Sequence, residues 1–123
     1  MDKKILIIED DVVLRETLSD YLTKEGFMAV TASNGEEGVS QAKKENPDLI
    51  LLDIILPKKD GFEVIKDLKK SDETKKISIV LLTNLDSLND IEKALNLGAT
   101  TYLVKSDYSL GEVVEKIKDI LNK

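Results

Sequence analysis

Leu49-Ile50-Leu51-Leu52 is an unbroken aliphatic run that ends on a single carboxylate, Asp53, and is followed by Ile54-Ile55-Leu56, Pro57, two lysines and Asp60-Gly61. An amphipathic helix or a half-buried strand would interrupt such a run with polar residues. A short continuous one suits a strand covered on both faces, the condition of a parallel sheet. Pro57 and Asp60-Gly61 mark a loop that leaves this strand and enters a helix. Asp53 then stands at the carboxyl edge of a buried strand, where open α/β sheets bind their ligands. Taken alone, an aspartate at that place reads equally well as a helix cap, so its neighbours must decide.

The remainder of the chain repeats the pattern. Ile5–Ile8 is a first buried strand, ending in Glu9-Asp10-Asp11. Leu14, Leu18, Tyr21 and Leu22 then share one helical face, and Gly26 closes that helix. Met28–Ala32 is a milder strand carrying Thr31, expected near a sheet edge. Ser33-Asn34-Gly35-Glu36 has capping-box spacing ahead of a helix that buries Val39 and Ala42, and Asn46-Pro47 stops it. After Leu49–Leu52 comes a helix using Val64, Ile65 and Leu68. Ile77–Leu82 is a fourth strand, ending at Thr83. A helix capped by Asp86 or Ser87 follows, with Leu88, Ile91, Ala94 and Leu95 inward, and Gly98 ends it. Thr101–Val104 is a short fifth strand running into Lys105. Ser109 and Glu112 form a second capping box before a helix striped by Val113, Val114, Ile117, Ile120 and Leu121. Strict strand–helix alternation predicts an α/β domain over residues 1–123, a parallel sheet with helices on both faces.

Composition removes whole classes of chemistry. The chain has no cysteine and no histidine, which excludes thiolate sites, Ser-His and Cys-His catalysis and most transition-metal centres. A formal charge of −6 disfavours direct nucleic-acid binding, and the paired lysines read as solvated helix ends. No apolar run is long enough for a membrane span, and the first strand leaves no room for a signal peptide, so a cytoplasmic protein is expected.

In a parallel sheet the strand ends at Glu9-Asp10-Asp11, Asp53, Thr83 and Lys105 meet at one edge. Two carboxylates about 4 Å apart repel by roughly 4 kcal/mol at an effective dielectric near 20. A hard divalent cation is the natural counter-ion for such an oxygen cluster, and Mg²⁺ typically takes one or two carboxylates. The structural alternative is a set of helix caps with an ion pair to Lys105. The triply acidic first loop would repel a bare phosphate, unlike the glycine-rich cradles of dinucleotide folds. A phosphatase of the haloacid-dehalogenase type wants a second aspartate two residues after the first, and that position is Ile55.

Ile5–Asp11, Leu51-Leu52-Asp53 with Leu56-Pro57 and Asp60-Gly61, Val80-Leu81-Leu82-Thr83, Gly98-Ala99 and Tyr102-Leu103-Val104-Lys105 together resemble the receiver domain of two-component response regulators, over the whole chain. The resemblance implies a flavodoxin-like (βα)5 fold with strand order 2-1-3-4-5. It implies Asp53 as an aspartate phosphorylated by a partner histidine kinase or phosphotransfer protein. Asp10 is then a direct Mg²⁺ ligand, Glu9 an outer one through water, and Ile55 a ligand through its backbone carbonyl. Lys105 pairs with Asp53 and then with a phosphoryl oxygen, Thr83 hydrogen-bonds that group, and Tyr102 turns inward on activation. Asp11 reads instead as the N-cap of the first helix. An effector would dock on the last helix–strand–helix face of a monomer or phosphorylation-linked dimer. The runner-up is a phosphorylation-independent interaction module.

Some positions depart from the family pattern. Ser106 replaces the usual cis proline, and a cis bond there would cost about 3–4 kcal/mol, so a trans bond with a Ser106-Asp107 turn is expected. Asn84 is larger than the small residue common after the threonine. Ile55 and Leu85 are apolar and expected to exclude water. Thr101 stands where the transcription-factor subfamily usually carries an aspartate, which weakens the case for that subfamily's dimer interface.

Overall fold

Each apolar run becomes a strand: β1 is Lys4–Ile8, β2 Met28–Ala32, β3 Leu49–Leu52, β4 Ser78–Thr83 and β5 Thr101–Val104. The computed structural model describes residues 3–54, 56, 59–83, 88–105 and 109–122, the side chain of Leu88 excepted. Between the strands lie α1 (Val12–Lys24), α2 (Gly35–Glu45), α3 (Gly61–Lys70) and α4 (Leu88–Leu97), with α5 (Leu110–Leu121) last. All pairings are parallel and the five strands lie in the order 2-1-3-4-5, the expected flavodoxin-like arrangement. β2 is an edge strand, as its composition suggested. The fourth strand begins at Ser78 rather than Ile77, a one-residue difference at an element end.

Alternation along the strands divides the core into two layers. Leu6, Ile8, Ile50, Leu52, Ile79 and Leu81 face Ala42 of α2, Val64, Ile65 and Leu68 of α3 and Ala94 of α4. Ile5, Ile7, Leu49, Leu51, Val80 and Leu82 face Leu18 and Leu22 of α1 and Val113, Val114 and Ile117 of α5. This two-sided burial accounts for the continuous apolar runs of β1, β3 and β4. Tyr21, expected on the buried face of α1, is instead 43% exposed. Leu18 and Leu22, with the half-buried Leu14, cover the sheet there, and the phenol, whose hydroxyl needs a polar partner, stays at the rim.

Local signals end the helices. Gly26 has φ 94°, and the Gly26 and Phe27 N–H groups donate to the Thr23 and Leu22 carbonyls at 3.1 and 3.0 Å, a Schellman closure of α1. Asp11 caps α1, its side chain accepting from the Leu14 N–H at 3.2 Å. At α2 the expected box on Ser33 and Glu36 is displaced by one residue. Asn34 is the cap, accepting from the Glu37 N–H at 2.9 Å, and Glu37 accepts from the Ser33 N–H at 3.2 Å. Asparagine caps as well as serine and offers Glu37 the same spacing. The second box is as expected, with Ser109 and Glu112 bonded reciprocally at 3.2 and 3.1 Å. Ser109→Ala is expected to cost about 1 kcal/mol, read as a lower urea midpoint with an unchanged slope. The expected cap on Asp86 or Ser87 lies outside the described residues.

Candidate functional site

Strand register builds the site. Ile8 pairs with both Ala32 and Leu52, and Val104 with Thr83, so the residues just past these strands emerge side by side. The Glu9 N–H donates to the Ala32 carbonyl at 3.1 Å and the Asp53 N–H to the Ile8 carbonyl at 3.0 Å. The sheet ladder thus continues through both acidic residues and fixes their backbones. Beyond Asp53 the chain turns under the start of α3, where Asp60 is the N-cap and the Gly61 N–H donates to the Ile54 carbonyl at 2.7 Å. A Cβ on Gly61 would lie 2.5 Å from the Ile54 Cα, so only glycine admits this approach.

Glu9, Asp10 and Asp53 each offer a carboxylate oxygen, and these three oxygens lie within 4.8 Å of one another. Glu9 and Asp53 are buried, at 3% and 8% exposure, whereas Asp10 is exposed. The Lys105 Nζ bridges the two buried groups, 2.6 Å from Glu9 Oε1 and 3.0 Å from Asp53 Oδ2. Burial pushes the Glu9 carboxyl up to about 7, the Lys105 ammonium pulling it down and the neighbouring Asp53 adding to the rise. Burial by itself would lower the Lys105 ammonium, but its bonds to Glu9 and Asp53 outweigh this and raise it above its usual value. With every group ionised, three carboxylates and one ammonium carry −2, the charge one divalent cation neutralises. The donor set is all oxygen and free of sulfur and imidazole, so it fits Mg²⁺ and not a softer metal.

Thr83 is fully buried at the end of β4. Tyr102 is 38% exposed and lines a groove against Lys116, Asp119 and Ile120 of α5. Ile55, Pro57, Asn84, Leu85, Ser106 and Asp107, with the expected trans bond at Ser106, lie outside the described residues. Three contacts escaped sequence reasoning. Lys105 bonds Glu9 as well as Asp53, which the adjacency of the first and third strands could have suggested. Arg15, the chain's one arginine, donates from Nη1 to the Glu9 carbonyl at 3.0 Å, and the Asp11 N–H donates to Glu9 Oε2 at 3.3 Å. No sequence signal marked Arg15.

The model of the response regulator receiver domain family matches residues 5–118. Over 123 residues the chain is 40% identical to the alkaline phosphatase synthesis transcriptional regulatory protein PhoP of Bacillus subtilis, covering 100% of this chain and 50% of that protein. It is 35% identical over 121 residues to sporulation initiation phosphotransferase F of the same organism, covering 98% of this chain and 95% of that one. The BeF3-activated N-terminal receiver domain of RstA from Klebsiella pneumoniae superposes with a TM-score of 0.88 at 32% identity, covering 98% and 99% of the two chains. The chain thus spans about half the length of PhoP and of several further curated relatives.

Proposed function

The chain belongs to the response regulator receiver domain family of two-component systems, and on that premise we propose that Asp53 accepts a phosphoryl group in an Mg²⁺-dependent reaction with a histidine kinase or phosphotransfer protein. The observation that carries this reading is the cluster itself. A buried carboxylate at a strand end, Asp53, is bonded to Lys105 at 3.0 Å and lies within 4.8 Å of oxygens from Glu9 and Asp10.

Receiver domains act as phosphoacceptor switches. Here an Asp53 oxygen attacks the phosphorus of the donor phosphoimidazole, the P–N bond breaks, and the imidazole leaves to be protonated by water. Glu9, Asp10, Asp53 and the Ile55 carbonyl would hold the Mg²⁺, which when bound neutralises charge on the phosphoryl oxygens. Lys105 remains beside Asp53 and pairs with a phosphoryl oxygen, supplying fixed positive charge where negative charge accumulates. Thr83 donates its hydroxyl to the same group. Tyr102 turns inward from its exposed position, and that movement changes the surface formed by β5 and the helices beside it. An effector that binds the two surfaces unequally reads the switch. Among the described residues no helix is long and apolar enough to cross a membrane, which accords with a cytoplasmic place beside a kinase.

Intact mass after incubation with acetyl phosphate and Mg²⁺ tests the reading. One added phosphoryl group is expected, absent from Asp53→Asn and absent with a chelator. If no adduct forms and beryllofluoride also fails to bind, the domain works as a phosphorylation-independent interaction module.

A further inference from the structure

We infer that Gly35, at the start of α2, is a positioning residue for Asp53, because its missing side chain is the seat on which the far end of the β3–α3 connection rests. The inference rests on the phosphoacceptor reading of Asp53. A Cβ built on Gly35 would lie 1.9 Å from the Lys59 carbonyl oxygen, 2.7 Å from its carbon and 2.8 Å from the Lys59 Cβ. Two of these three atoms are backbone, so a side chain at position 35 displaces the chain at Lys59 rather than a flexible tip.

Backbone conformation does not explain the glycine. Positive φ among the described glycines belongs to Gly26 and Gly98, and Gly35 opens its helix in ordinary geometry. Alanine would be the better helix former at such a place. Gly111, also in the first turn of a helix, has no atom within 4 Å of its notional Cβ, so space is open there and closed at Gly35. What Gly35 provides is close approach. The Lys59 carbonyl rests against the amino-terminal end of α2, where the helix dipole favours a negative oxygen.

Lys59 is held from a second side, its Nζ paired with Asp67 of α3. The near end of the same connection is held at Ile54 by the bare Cα of Gly61, whose notional Cβ would also lie 3.1 Å from the Asp53 carbonyl oxygen. The segment that leaves Asp53 is therefore clamped at both ends by backbone contacts that require glycine. Displacing Lys59 shifts the strain toward Asp60, the cap of α3, and through Gly61 to Ile54 and Asp53. An ångström at a reacting carboxylate costs up to about a hundredfold in rate.

The test compares Gly35→Ala with Ala42→Gly, which weakens the same helix from a buried position away from Lys59, and with Gly111→Ala. Phosphorylation by acetyl phosphate is followed at saturating Mg²⁺, and the amide resonances of Asp53 and Gly61 are recorded without phosphoryl donor. Gly35→Ala is expected to slow phosphorylation about tenfold or more and to move both resonances, while the other two variants stay within about twofold of the parent rate. A rate for Gly35→Ala within about twofold of the parent, or an equal loss in Ala42→Gly, overturns the inference. Unmoved resonances in Gly35→Ala overturn it even if the parent protein takes up no phosphoryl group, so the two readings fail separately. Should Gly35→Ala not fold, Lys59→Gly removes the tie to Asp67 without adding an atom. It is expected to slow phosphorylation about threefold, and an unchanged rate overturns the seat.

Discussion

Lys105→Met is expected to lower the folding free energy by about 3 kcal/mol at pH 8, a deficit that shrinks as the pH falls toward 5.5. The ammonium is mostly buried and bonds two carboxylates at 2.6 and 3.0 Å. Without it, Glu9 and Asp53 face one another with little water to screen them. Removing one partner of a buried ion pair costs about 3–5 kcal/mol, and the lower end applies here because the cleft opens to solvent beside Asp10. The sign with pH follows from Glu9. Its carboxyl is already raised from 4.5 to about 7 with Lys105 in place, and losing the cation raises it further. The folded variant therefore binds a proton that the unfolded chain releases, and its stability falls as the pH rises through that window. Urea unfolding at pH 5.5 and 8 without divalent cations measures both values. Equal stability of variant and parent at pH 8, or a deficit of the same size at both pH values, would sink this account.

The fold was legible because its constraints act locally. β1, β3 and β4 must be apolar on both faces, and that requirement writes an unbroken aliphatic run into the chain. Gly26 and Gly98 sit at positive φ, where a side chain is strained, so their places at helix ends could be read directly. The site was legible one step later. Parallel strands bring their carboxyl ends to one edge, so topology alone gathers Glu9, Asp10, Asp53, Thr83 and Lys105 there.

What stayed hidden depends on approach between segments distant in the chain. Gly35 looked like an ordinary helix start, and its contact with Lys59 exists only once α2 and α3 pack on the same face of the sheet. Tyr21 fitted the helical spacing of a buried stripe, but Leu14, Leu18 and Leu22 already cover the share of the sheet that falls to α1. The cap of α2 lies on Asn34 and not on Ser33 because two equivalent caps are adjacent and local spacing does not choose between them. Lys105 could reach either carboxylate from its strand end, and it takes both.

Glu9→Gln is expected to act in the opposite direction to Lys105→Met, gaining about 3 kcal/mol at pH 8 and close to nothing at pH 4. Burial holds the folded carboxyl up at about 7, against 4.5 for a freely hydrated one. Below the lower value both states hold the proton, and glutamine imitates the neutral acid. Between the two values the folded state alone holds it, so the parent protein loses stability with rising pH, and the loss is complete above the higher value. A rise of that size corresponds to about 3 kcal/mol, with the attraction of Lys105 for the carboxylate already included in it. The same substitution removes one of three converging oxygens and should reduce Mg²⁺-dependent phosphorylation of Asp53. A structural ion pair would show the reverse pattern, with lost stability and no change in phosphoryl uptake. Thermal melts from pH 4 to 8, run beside the acetyl phosphate reaction, separate the two. Higher stability with lower phosphorylation means that Glu9 is kept charged and buried at the expense of the fold, as expected of a group retained for its chemistry.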